Sequence, residues 1–300
     1  MPKTKHDKHW YLKTTKPKGC TFVTCLYDLH TIDNTERKSI DEYLKNSDFL
    51  LKKTYNLVIY TTAEFADKIM DIRKSYNLGS KTCVITQPFE EIHTVSKYKK
   101  QLDHISKSDN KTWIFSNDKD TPNYYMLIWN KLLFVQETIY NNPFNTKYFA
   151  WHDFGLGHVI NQTMKPCEIN VKAIPKKIRF LVMEAHKIKP VEEMTYSEYP
   201  ALIGGGLITG HEKFFRVFIQ LFINKLESLL SSNIVVTEEY ILANLYAENL
   251  DLCSAYFGTF YNTIYTNYHT MNHQKEAFKE KIYPKITNPE IQKAFVKYAS

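Results

Sequence analysis

The chain has 300 residues, 43% of them hydrophobic and 24% charged, and a formal net charge of +7. That length carries one large α/β domain or two small ones with a real core. No run of about 18 apolar residues exists to span a membrane, and the five scattered cysteines (Cys20, Cys25, Cys83, Cys167, Cys253), with no C-x-x-C pair, argue against a zinc ribbon or a disulfide framework.

Residues 1–18 hold Lys3, Lys5, Lys8, Lys13, Lys16 and Lys18 and are expected to form a basic, disordered leader. The segment is too polar for a signal-peptide core. With the thiols unpaired, a reducing, cytoplasmic compartment is expected. A basic tail suits an anionic surface, but nucleic acid is not the expected partner. "CTFVTCLYDL" (20–29) then reads as a first buried strand. Ile40, Tyr43, Leu44, Phe49 and Leu50 predict helical segments around Asn46–Ser47. "NLVIYTT" is a second strand, with Thr62 as cap of the helix "AEFADKIMDIRKSY". "KTCVITQP" is a third strand, stopped by Pro88. The order β-α-β-α-β predicts a parallel sheet with helices on its faces.

Phe89 to Ser108 is charged and predicted helical. "TPNYYMLIWNKLLFVQETIY" predicts one helix, capped by Thr121 with Pro122 at its first position. Tyr125, Ile128, Trp129, Leu132, Val135 and Ile139 form its apolar face, and Lys131 lies off that face. "KYFAWH" is a strand that delivers Asp153. "KIRFLVMEAH" is another. "YPALIGGGLITGHEKFF" is expected to run from a strand, through three glycines, into a long amphipathic helix. "TEEYILANLYAENL" is a short helix capped by Thr237, "CSAYFGTFYN" begins another strand, and a last helix is expected near Ile291–Tyr298.

Asp153-Phe154-Gly155 copies the magnesium-binding triplet of protein kinases. A kinase also needs a Gly-rich loop and an H-R-D-x-x-x-x-N segment before the triplet, and A-P-E after it. None of these occurs, and the first hundred residues hold just Gly19 and Gly79. A carboxylate at a strand end has a second use. In open α/β sheets ligands bind outside the carboxyl ends of the strands, where strand order reverses. An acid there is placed to hold Mg²⁺ or Mn²⁺ on a diphosphate, the metal offsetting charge on the leaving group. The bland alternative is a turn acid after a strand.

The stretches "TFVTCLYDLH", "NLVIYTT", "NPFNTKYFAWHDFGLGHV", "IGGGLITGHEKFF" and "TEEYILANLYAENLDLCSAYFGTFYNTIYTNY" occur in that order. Together they resemble the HtrL/YibB family, read as glycosyltransferases similar to GT-A enzymes, from about Thr21 to about Tyr268. The resemblance implies an α/β fold: a GT-A-like, Rossmann-type mixed sheet flanked by helices. It implies a single domain over 19–270, with a nucleotide-binding half (19–155), an acceptor half (156–270) and a C-terminal helical tail (271–300). It also implies transfer of a sugar from a nucleotide-sugar donor, a UDP-sugar by preference, to a glycan or glycoside acceptor, with Mn²⁺ or Mg²⁺.

Carried over residue by residue, Asp153 matches the first position of the GT-A Asp-x-Asp motif, and Gly155 stands where the second acid belongs. His152, His158 and His269 are candidate nitrogen ligands beside Asp153. Thr24, Leu26 and Tyr27, at the end of the first strand, are candidates for base and ribose. Arg37 and Arg73 are candidates for the diphosphate, since a guanidinium forks onto phosphate oxygens. Lys131 is a donor-site candidate, or merely a solvated lysine. Gly204, Gly205 and Gly206 are candidates for close approach to the sugar or acceptor, or for a tight turn. Glu238 and Glu239 either favour a helix N-terminus or include a general base for the acceptor hydroxyl. The missing second acid leaves one alternative, a non-catalytic nucleotide- or glycan-binding protein on the same scaffold.

Overall fold

The computed structural model describes residues 19–34, 38–113, 121–159, 169–183, 203–257 and 289–293. The leader, and the tail apart from a helical turn at 289–293, lie outside the described residues.

Strand β1 (Cys20–Leu26) leads into helices α1 (Leu29–Asp33), α2 (Ile40–Asn46) and α3 (Asp48–Leu51). Strand β2 (Asn56–Thr61), helix α4 (Ala63–Ser75) and strand β3 (Thr82–Thr86) follow, as the apolar runs predict. Helix α5 (His93–Ser106) and the two-residue strand β4 (Thr112–Trp113) precede α6 (Pro122–Trp129) and α7 (Lys131–Asn141). Then come β5 (Tyr148–His152), β6 (Arg179–Val182), β7 (Ile203–His211), α8 (Glu212–Ser231), β8 (Ile234–Val235), α9 (Glu238–Glu248) and β9 (Tyr256–Phe257).

Among the described residues, seven strands form one sheet in the order β3-β2-β1-β5-β7-β6-β9. β3, β2, β1 and β5 are mutually parallel. β7 runs antiparallel to both β5 and β6, and β9 is parallel to β6. This is the α/β fold expected, a Rossmann-type mixed sheet flanked by helices. Apolar side chains cover both faces. Val23, Tyr60, Phe149 and Trp151 pack under α5 to α9. Phe22, Leu57, Ile59 and Ala150 pack under α2 to α4. Because the central strands are buried on both sides, they read as continuous apolar runs rather than alternating ones.

Strand order reverses between β1 and β5: the chain moves outward from β1 to β2 and β3, then returns to β1's other side. A crevice opens at the carboxyl ends of these two strands for this reason.

Three expectations change. The predicted single helix over 122–140 is two helices meeting at Asn130, a buried residue whose Oδ1 accepts from Thr94 N at 3.2 Å. An asparagine side chain used this way ties the start of α5 to the junction and puts Lys131 in the first turn of a new helix. The three glycines do not join a strand to a helix. They lie inside β7, where Gly204 faces Leu181 of β6. Thr62 and Thr237 stand at the N-caps of α4 and α9, but neither side chain makes the capping bond. Thr121 does, accepting from Tyr124 N at 3.2 Å with Pro122 behind it.

Candidate functional site

A cleft of about 240 Å³ lies at this reversal of strand order. Cys25 and Leu26 of β1 form one wall, with Tyr27 just beyond them. Trp151, Asp153, Phe154 and Gly155 enter from the end of β5, and Tyr124, Leu127 and Lys131 from the α6–α7 junction. His30, Lys38 and Tyr43 close the rim.

Asp153 is held on three sides. Its backbone N–H donates to Gly206 O at 2.8 Å, extending the β5–β7 ladder by one residue. Trp151 Nε1 donates to its Oδ1 at 2.7 Å. Lys131 Nζ lies 3.1 Å from Oδ1 and 3.3 Å from Oδ2. The carboxylate remains about a third exposed, at 35%.

Lys131 also donates to Glu238 Oε1 at 2.5 Å. The fold arranges this meeting through Trp129, whose Nε1 donates to Val236 O at 2.9 Å. That bond pins α6 to the residues that open α9, so the next residue but one on each chain meets the other. The lysine and glutamate side chains are 12% and 7% exposed, so water screens their attraction little. Burial alone works against the Lys131 ammonium, but Asp153 and Glu238 outweigh it and hold its pKa well above the ordinary value.

Glu239 sits beside this pair and accepts from Gly205 N at 3.0 Å. Burial, then the charge of Glu238, pushes its carboxyl up to about 8. Burial likewise raises Glu238, against the pull of Lys131. Burial and a neighbouring acid both favour the protonated form of a carboxyl. Gly205 permits the approach: a Cβ there would lie 2.9 Å from Glu238 Oε1 and 3.3 Å from Glu239 Cγ.

The structure therefore brings Asp153, Lys131, Glu238, Glu239, Leu26 and Tyr27 to one place, and sets Gly205 and Gly206 behind them as strand backbone rather than as a ligand-facing turn. Tyr27 lines the wall but is only 4% exposed, and its ring is already stacked with Phe134. Thr24 is fully buried on the opposite face of β1 from Cys25, because side chains alternate along a strand. It does not line the cleft.

Arg73 is a second correction. It is fully buried on α4, donating to Thr82 Oγ1 at 2.7 Å and to the carbonyls of Leu51, Lys53 and Tyr55 at 2.9, 2.6 and 2.9 Å. The guanidinium satisfies the backbone carbonyls between α3 and β2, not a diphosphate. Arg37 and His269, and the side chain of His158, lie outside the described residues. His152 is fully buried beneath the site, its Nδ1 2.8 Å from Asp153 O, and burial lowers its pKa to about 4.

Trp151, Tyr43 and Lys38 are among the cleft residues that the sequence reading did not single out for the site. Trp151 was legible in principle, since positions two apart on a strand share a face. Tyr43 and Lys38 come from a distant segment, and nothing local marks them.

A divalent cation does not fit the donor set described. Asp153 Oδ1 already faces two N–H donors, and an ammonium sits between Asp153 and Glu238. Among the described residues no three His, Cys, Asp or Glu side chains converge to hold a metal. Nor is there, among them, a helix long and apolar enough to cross a membrane.

Comparison with solved structures finds mouse xyloside xylosyltransferase 1 in its apo form, at 8% identity and a TM-score of 0.39, covering 85% of this chain and 94% of that one. It also finds the PaToxG glycosyltransferase, at 10% identity and a TM-score of 0.33, covering 95% and 86%. Comparison with curated proteins finds no match. A family model described as "Bacterial protein of unknown function (HtrL_YibB)" matches residues 18–266, and the chain belongs to that HtrL_YibB family.

Proposed function

We propose that the protein is a glycosyltransferase, moving a sugar from a nucleotide-sugar donor, a UDP-sugar by preference, to a hydroxyl of a glycan or glycoside. The observation that carries this reading is the Asp153–Lys131–Glu238 cluster, with Asp153 and Lys131 lining a cleft at the point where strand order reverses and Glu238 buried behind them. That is where an α/β sheet presents a ligand to strand-end side chains.

In this reading Asp153, locked by Trp151 and by the β7 backbone, orients the donor through its hydroxyls. The acceptor oxygen attacks the anomeric carbon and the carbon–oxygen bond to the diphosphate breaks, its electron pair leaving on the phosphate oxygen. The acceptor's proton passes to the acid pair. Glu238 and Glu239 stand beside Lys131 for that role, and burial raises the proton affinity of both carboxyls, Glu239 to about 8. The described donors do not fit Mn²⁺ or Mg²⁺.

The test is release of nucleoside diphosphate from a panel of nucleotide-sugars, with and without candidate glycoside acceptors. Wild type is expected to release it and folded Asp153→Ala to release none. Normal turnover by Asp153→Ala sinks the mechanism. Glycan binding with no affinity for any nucleotide favours a non-catalytic binding protein instead.

A further inference from the structure

We infer that Lys131 is the built-in cation for the donor's diphosphate, so that this cleft engages a nucleoside diphosphate without a divalent metal. The inference rests on the transferase reading above and specifies how its donor is held.

Two independent observations carry it. The first is what fills the place of a second metal-binding acid. Gly155 stands two residues after Asp153, and a Cβ built on it would lie 2.9 Å from Cδ1 and 3.0 Å from Cε1 of Tyr43. Real side chains do not approach so closely, and the obstacle is a ring rather than a loose chain end. Tyr43 thus takes the space that an aspartate at 155 would need. Its helix is fixed by a capping box, Ser39 with Glu42, and by the buried Ile40 and Leu44. The acid is not just absent from the sequence; the fold has closed over its position.

The second observation is the location of Lys131. Its ammonium lies between the strand-end carboxylate and Glu238. A metal bound to Asp153 Oδ1 would have to displace or sit against a cation 3.1 Å from that same oxygen. At such separations like charges repel by several kcal/mol at the effective dielectric of a protein surface, about 20.

An ammonium carries three N–H donors. Asp153 and Glu238 occupy two, and Lys131 lines the cleft, which leaves one for a phosphate oxygen. Lys38 lines the same cleft at its rim and adds positive charge there. A lysine meets phosphate as a point charge and needs no coordination geometry, so it calls for no second carboxylate at 155.

The experiment is calorimetric titration of UDP into the full chain, once in EDTA and once in excess Mn²⁺, with wild type and Lys131→Met. Wild type is expected to bind UDP in EDTA with an affinity within about threefold of that in Mn²⁺. Lys131→Met is expected to bind about tenfold or more weakly in EDTA, the loss of one charge-assisted hydrogen bond. Binding of UDP by wild type only when Mn²⁺ is present overturns the inference and leaves the transferase reading standing. So does Mn²⁺ uptake, seen by electron paramagnetic resonance, that disappears in Asp153→Asn. Equal affinity of folded Lys131→Met and wild type also overturns it. If neither UDP nor any other nucleoside diphosphate binds under either condition, the transferase reading falls and this inference with it. The wild-type comparison decides the question even if Lys131→Met does not fold.

Discussion

Replacing Gly205 by alanine tests whether the acid pair takes part in the chemistry. A Cβ at 205 would lie 2.9 Å from Glu238 Oε1, so that oxygen must retreat by about 0.5 Å to reach an ordinary 3.4 Å contact. Glu239 is pressed too, with its Cγ at 3.3 Å and Oε1 at 3.4 Å. The carboxylates are ends of side chains and can swing, so the fold gives up only about 1–2 kcal/mol, the low end for overpacking. The site is less forgiving. Glu238 is held by Lys131 at 2.5 Å, and Glu239 by the very amide that gains the methyl group. Misplacing a reacting group by about 1 Å costs on the order of a hundredfold in rate, so about half that shift predicts a loss of tenfold or more. Gly204→Ala is the control on the same strand. Its Cβ would meet Leu181 carbons at 3.4, 3.4 and 3.7 Å, ordinary contact well away from the acids. Urea midpoints and single-turnover rates of nucleoside diphosphate release would be measured for both. If Gly205→Ala turned over as fast as Gly204→Ala, the acid pair would have no part in transfer.

Arg73→Met is expected to cost about 3 kcal/mol or more by stranding the carbonyls of Leu51, Lys53 and Tyr55, with nucleotide affinity unchanged in whatever fraction folds; weakened affinity with unchanged urea stability would return this arginine to the donor site. The carboxyl of Glu239, raised to about 8 in the fold, returns to the ordinary range on unfolding, so the native state binds the extra proton between those values. Stability contributed by that proton is present at low pH and is lost as pH rises toward and through about 8. Glu239→Gln should flatten the slope of urea stability between pH 5 and 8, and an unaltered slope would place the proton elsewhere. Trp151→Phe removes the hydrogen bond to Asp153 while keeping the buried ring, and should slow turnover about tenfold with under 1.5 kcal/mol lost in stability.

Much of the first half of the chain is legible because its strands are buried on both faces. Runs such as "NLVIYTT" have no other use than a central strand, and the helices between them carry apolar residues at helical spacing. The glycines of β7 mislead for a physical reason. Three in a row normally signal freedom of φ, but here they supply thinness, letting α9 press its acids onto the strand. The break at Asn130 was hidden because its cause, a hydrogen bond to Thr94 some 36 positions earlier, leaves no local trace. Arg73 misleads in the same way: a guanidinium suits phosphate and clustered carbonyls equally, and only the packing distinguishes them. Asp153 was legible because a strand ended in it, whereas its partner Glu238 lies 85 positions later and is joined to it only through Lys131.

The contact between Lys131 and Glu238 also bears on how this chain responds to selection. Two charges held almost out of water are a weak source of stability, since desolvation offsets most of their attraction. Breaking one partner alone is harmful, but exchanging the whole set for well-packed apolar groups of similar volume is often neutral or gains about 1–4 kcal/mol. A combined Asp153→Asn, Lys131→Met, Glu238→Leu chain, with Asn kept at the part-exposed position, is therefore expected to melt no lower than wild type while binding no nucleotide. A laboratory lineage selected for heat resistance alone would drift toward erasing these three residues, and consensus stabilisation of the fold would have to be barred from them. An intact triad in a natural sequence is thus a mark of something selected other than folding.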